Sequence, residues 1–99
     1  MSQVLFTMIL EYRGGTYIAQ IGSDSPSQAL EQWIRELSSK SLRAWKLSRA
    51  DLESVVREHP PVLLNEFSNV WCVIGSGRRH QILINIVATV RTVGGRMVL

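Results

Sequence analysis

The chain has 99 residues, of which 45% are hydrophobic and 19% charged, and carries a net charge of +3. That length allows one domain with its own core and that composition excludes a disordered chain, while a single cysteine, Cys72, excludes an intrachain disulfide framework and fits a reducing compartment. No apolar run approaches the ~20 residues of a membrane span, and the start lacks the basic residues of a secretory signal, so the expectation is a cytoplasmic protein.

Residues 4–13 and 16–21 flank Gly14-Gly15. A Gly-Gly loop supplies the positive φ angles of tight hairpin turns. Centring the turn there pairs Tyr12 with Tyr17, Leu10 with Ala19 and Met8 with Ile21. Phe6, Met8, Leu10 and Tyr12 then face the core with Tyr17, Ala19 and Ile21. Leu5, Thr7, Ile9 and Glu11 face away from it with Ile18 and Gln20.

Ser25, Pro26 and Gln28 form a helix start, with a capping hydroxyl, a proline at the first helical position and a capping-box residue. Ala29, Leu30, Trp33, Ile34 and Leu37 recur at helical spacing, as expected of an amphipathic helix laid on a sheet. Residues 38–41 are expected to end it. Ser48 and Asp51 mark a second start, with Leu47 and Leu52 placed as a hydrophobic staple. Leu52, Val55 and Val56 give that helix an apolar stripe, and His59-Pro60-Pro61 stops it. Between the two helices, Leu42, Trp45 and Leu47 anchor a basic connector that fits a short helical turn.

Residues 62–69 show little periodicity. Residues 70–74 predict a short strand and residues 75–79 a loop. Residues 81–90 predict the longest and most regular strand, with Ile82, Ile84, Ile86, Ala88 and Val90 on one face. It is β-branched and free of Gly, Pro and charge, which suits a central position. A five-residue loop would set Ile74 opposite His80, Cys72 opposite Ile82 and Val70 opposite Ile84. The tail, with Gly94-Gly95, could turn back as the stub of a fifth strand.

The expected fold class is α+β. It has two layers in the order β-β-α-α-β-β, with an antiparallel sheet of four strands, or five with the stub, and two helices on one face. The other face would hold Leu5, Ile9, Ile18, Trp71, Val73, Leu83 and Val87. That is more apolar surface than an isolated monomer leaves in one patch. It predicts a homodimer face or a protein-partner face, unless a sheet edge serves instead.

Signals for chemistry are sparse. Cys72 would point inward, with His80 close by on the same face, the only pairing that resembles a nucleophile and a base. His59 ends a helix, and neither histidine has metal-ligand spacing to the other, to Cys72 or to an acid. Glu31, Glu36, Asp51, Glu53 and Glu58 fall on solvent faces with Arg35, Arg49 and Arg57 as neighbours, and are expected to be solvated surface charge rather than paired catalytic carboxylates. Gly75-Ser76-Gly77 is not followed by a helix and so cannot act as a phosphate loop. No catalytic, cofactor or metal site is therefore predicted. The strongest signal is basic. Lys40, Arg43, Lys46 and Arg49 are spaced by three with Trp45 among them, and Arg78 and Arg79 stand at a hairpin tip. Such residues could neutralise phosphates while the indole stacks on a base.

Phe6-Thr7-Met8-Ile9-Leu10-Glu11, Gly14-Gly15-Thr16-Tyr17-Ile18-Ala19 and the helix over residues 28–37 resemble the β-β-α opening of HicB-type antitoxin domains. The likeness covers the N-terminal third. The Pro-Asp-Leu-Pro-Gly-Cys segment of that family is absent and the later strand order differs, so antitoxin function is not carried over. Taken whole, the chain resembles small bacterial proteins of unknown function. The segments 10–18, 69–72 and 83–87 carry that likeness, and it implies no activity. The sequence thus favours a non-enzymatic protein-interaction or regulatory module acting as a homodimer. The alternative is a nucleic-acid-binding module using the basic connector and the hairpin tip.

Overall fold

The computed structural model describes residues 4–64, 68–77, 80–89, 91–93 and 96–98. Its main sheet has five antiparallel strands: β1 Val4–Tyr12, β2 Gly15–Ser23, β3 Val62–Leu63, β4 Val70–Ser76 and β5 Gln81–Thr89. Their spatial order is β2-β1-β5-β4-β3. Three helices, α1 Pro26–Glu36, α2 Ser39–Trp45 and α3 Arg49–Glu58, separate β2 from β3 in the chain. The fold is α+β, with a fifth strand and a third helix that differ from the expected set.

β5 is the middle strand of the five, as its composition predicts. Ile82, Ile84 and Ile86 are fully buried beneath the helices, together with Met8 and Leu10 of β1. Its last predicted residue, Val90, lies outside the described residues. Ala29, Leu30, Trp33 and Ile34 of α1 and Leu52 and Val55 of α3 complete this layer. Leu42 and Leu47 close it at the α2 side, and Leu47 and Leu52, the two residues of the expected staple, are both buried in this core.

The helix starts follow local capping chemistry. The Ser25 hydroxyl accepts from the Gln28 backbone N–H at 3.1 Å, and Ser48 accepts from Asp51 at 3.3 Å. Residues 38–41 do more than end α1. Ser38 accepts from the Ser41 N–H at 3.0 Å and so starts α2, which turns the connector into a two-turn helix. Lys46 then ends α2 in the left-handed region at φ 57°.

Both hairpins differ from expectation in register. In β1–β2 the pairs are Leu10 with Tyr17 and Met8 with Ala19. The turn residues are Arg13 and Gly14, with φ 51° and 81°, the two positive values that a type I′ turn requires. The slip is two residues, so every side chain keeps its expected face. Gly15 is a strand residue; a Cβ there would overlap the Tyr17 phenol.

In β4–β5 the slip is three residues, and the faces exchange. Val73 pairs with Ile84 and Trp71 with Ile86, on the helix side. Cys72 pairs with Asn85 and Ile74 with Leu83, on the open side. Residues 70–74 are apolar at every position, so alternation cannot choose between the two registers. Gly75 helps to decide it. It lies buried under α3, where a Cβ would come within 2.6 Å of Val55 Cγ1 and 3.0 Å of His59 Cδ2. Glycine is thus a contact surface for α3 rather than the start of a loop. β4 runs on to Ser76, and the turn is closed by the Gly77 N–H donating to the His80 carbonyl at 2.9 Å. The fifth strand of the sheet is Val62–Leu63. The tail pairs with itself, Arg91–Val93 with Arg96–Val98, in a separate ladder, and Gly94-Gly95 lies outside the described residues.

Candidate functional site

The helix-free face of the sheet carries three of the large hydrophobics that stand exposed among the described residues, Ile18, Val62 and Ile74. The register aligns its side chains in rows across the strands. The longest row crosses all five: Ile18, Ile9, Asn85, Cys72, Val62. On one side of it runs Thr16, Glu11, Leu83, Ile74, and on the other Gln20, Thr7, Val87, Val70. Ile18, Val62 and Ile74 are 66%, 65% and 51% exposed, high for aliphatic side chains. Leu5, Ile9, Leu83 and Val87 are half-buried.

Five of the seven residues expected on this face are there: Leu5, Ile9, Ile18, Leu83 and Val87. Trp71 and Val73 are not. Val73 is buried in the helix-side core, and Trp71 packs against that core with its ring edge-on to Phe6 at 5.9 Å. The three-residue slip is the physical reason. It also brings Val70, Cys72 and Ile74, which the sequence had directed inward, onto the open face.

Polar groups on this face differ in how they are satisfied. At one end Gln20 Nε2 donates to Thr7 Oγ1 at 3.0 Å, and Thr7 Oγ1 lies 3.2 Å from Thr89 Oγ1. Asn85, in the middle, makes no side-chain hydrogen bond to any described residue. Sequence reasoning placed Asn85 on the correct face and attached no role to it. Its signal was a lone amide amid β-branched residues.

The Cys72–His80 pairing is not formed. Cys72 lies on the open face, five strand residues from the hairpin end where His80 stands, roughly 17 Å at the rise of an extended strand. His80 instead meets the buried Tyr12 ring edge-on at 5.9 Å. Partial burial pushes the Cys72 thiol up from its ordinary pKa, the opposite of nucleophile activation. Among the described residues no group of three or more His, Cys, Asp or Glu could hold a metal ion.

The basic set divides. Lys40, Arg43 and Lys46 are exposed on and just after α2, and Arg43 and Lys46 line a shallow groove with Ser39 and Ser48. Arg49 has a structural task. Its guanidinium donates to the Ile34 and Leu37 carbonyls and reaches the Arg35 carbonyl at 3.5 Å. It thereby caps the C-terminus of α1, where carbonyls lack helical partners and the helix dipole favours a cation. Trp45 is half-buried, with one ring face stacked on Tyr17 at 4.2 Å between centroids. Arg78 and Arg79 lie outside the described residues.

Glu31 and Arg35 of α1 face Glu53 and Arg57 of α3 across a groove floored by Ile34 and Val56, a charge-balanced surface. No helix among the described residues is long and apolar enough to cross a membrane. No family model matches the chain, and no curated protein or solved structure matches it either.

Proposed function

We propose that the protein is a small non-enzymatic interaction module that acts as a homodimer, with the open face of its sheet as the contact surface. The observation that carries this is the five-strand row, apolar except for Asn85 and exposed or half-buried throughout, with no helix above it. At about 3.4 Å per residue and 4.8 Å per strand, the five strands present about 600 Å² of face. Two copies would bury about 1,200 Å², the lower bound of stable interfaces. Glu11 is the one charged residue among the described members of this face, so a second copy brings little like-charge repulsion.

Light scattering across a micromolar concentration series tests this. A dimer that Ile18→Glu converts to monomer is expected, because the substitution buries an unpaired carboxylate in the contact. A monomer at high micromolar concentration overturns the reading.

The exposed trio Lys40, Arg43 and Lys46 favours a second reading, a nucleic-acid contact, since residues 38–50 contain no acid. Fluorescence anisotropy of generic DNA and RNA oligonucleotides in a salt series checks it. Micromolar binding that falls steeply with salt, and weakens when Arg43 and Lys46 become alanine, supports it. Absence of binding at low salt removes it.

A further inference from the structure

We infer that Asn85 marks the centre of the dimer, its side-chain amide meeting the same amide of a second copy across the two-fold axis. This rests on the homodimer reading above and adds where the axis passes and what sets the register.

Asn85 is the fifth of nine residues in β5, and β5 is the third of five strands. It is therefore the midpoint of the face in both directions. Its four nearest neighbours on that face are Ile9 and Cys72 across the strands and Leu83 and Val87 along β5. None of these side chains is a good hydrogen-bond partner for an amide, and none accepts from or donates to it. Elsewhere on the face, Gln20, Thr7 and Thr89 satisfy one another.

A partner laid over this position must deal with an unpaired amide. An apolar group covering it would leave a donor and an acceptor stripped of water, at a cost of about 1–3 kcal/mol. A second Asn85 removes that cost, because a carboxamide carries both an N–H donor and a C=O acceptor. Two of them related by a two-fold axis can exchange reciprocal hydrogen bonds. Sheets pack face to face about 10 Å apart, close enough for two such side chains to meet. An isologous interface sets residues on its axis against themselves, and Asn85 is self-complementary in that sense. A lone polar residue in an apolar seam also penalises displaced packings, since a shift of one row would set the amide against Ile9, Leu83 or their equivalents.

The test uses the full chain and two independent readouts. Asn85→Asp at neutral pH would place two carboxylates together. We expect the dimer Kd to rise by about a hundredfold or more. Gln81→Glu, a matching charge change at the rim, is expected to leave it within about threefold, since solvent screens exposed charges. In a Cys72→Ser background, Asn85→Cys should give a covalent dimer with a short bis-maleimide, whereas Gln81→Cys should not. This second readout stands even if Asn85→Asp fails to fold. A wild-type dimer that survives Asn85→Asp and is not cross-linked through position 85 overturns this inference and leaves the homodimer reading intact. That result would point to face-to-face packing of the two sheets in another register. A monomeric wild type overturns both.

Discussion

The two faces of one sheet share the same strands and are built to different specifications. On the helix side, Met8, Leu10, Ile82, Ile84 and Ile86 are fully buried. On the open side, β-branched and aliphatic residues alternate with Thr7, Gln20 and Thr89, and none of those described is fully buried. The first face is finished by the chain itself. The second has the apolar content of an interface and the polar interruptions of a surface that must also tolerate water. The contrast teaches that hydrophobicity alone does not identify a core; a covering layer does.

The contrast is broken most forcefully by comparing one truncation on each face. Ile84→Ala is expected to lose about 2–5 kcal/mol of folding stability in a denaturant titration, because nothing can collapse into the space under α1 and α3. Ile18→Ser, at 66% exposure, is expected to change the monomer's stability by no more than about 0.5 kcal/mol and to act on association instead. Equal losses at the two sites would mean that the open face is covered within one chain.

Arg49→Ala sharpens the same comparison from the helix layer. It strips the α1 carbonyls of a charged donor, and a loss of about 1.5–3 kcal/mol is expected. Arg49→Lys should recover only part of this, since one ammonium cannot match a planar fork reaching several carbonyls. A wild-type unfolding midpoint for Arg49→Ala, coupled with lost oligonucleotide binding, would return this residue to the basic surface set. Gly75→Ala should cost about 1–3 kcal/mol, because its Cβ would drive Val55 and α3 away from β4. A neutral outcome in thermal unfolding would contradict the observed β4–β5 register.

The smallest effect concerns Cys72. Burial pushes its thiol pKa up in the folded state, relative to an unfolded value of about 8.5. The folded chain thus keeps its proton where the unfolded chain has lost it. This contribution to stability is full below about pH 8.5 and declines as pH rises further. The Cys72→Ser variant should lack that alkaline decline, a difference that paired pH titrations of stability would reveal. Maleimide labelling at neutral pH should be slower than for a free thiol, and the proposed homodimer predicts that it slows further as protein concentration rises.

Much of this protein was determined by its sequence alone. Local rules decide local features: capping hydroxyls at Ser25 and Ser48, the proline stop after α3, and a two-residue repeat that makes β5 a central strand. Side chains of β1 and β2 kept their expected faces because a register error of two residues leaves alternation intact. Tertiary structure decided the rest. Residues 70–74 are apolar throughout, so alternation cannot select which of Trp71 and Cys72 faces the helices, and tertiary contacts such as the fit of Gly75 beneath Val55 and His59 help to decide it. The same selection separates Cys72 from His80. Arg49 and Lys46 look alike in sequence, and only the arrival of the α1 C-terminus beside Arg49 makes it a cap. These outcomes depend on contacts between residues distant in the chain, and a periodic pattern carries no information about which distant surface it will meet.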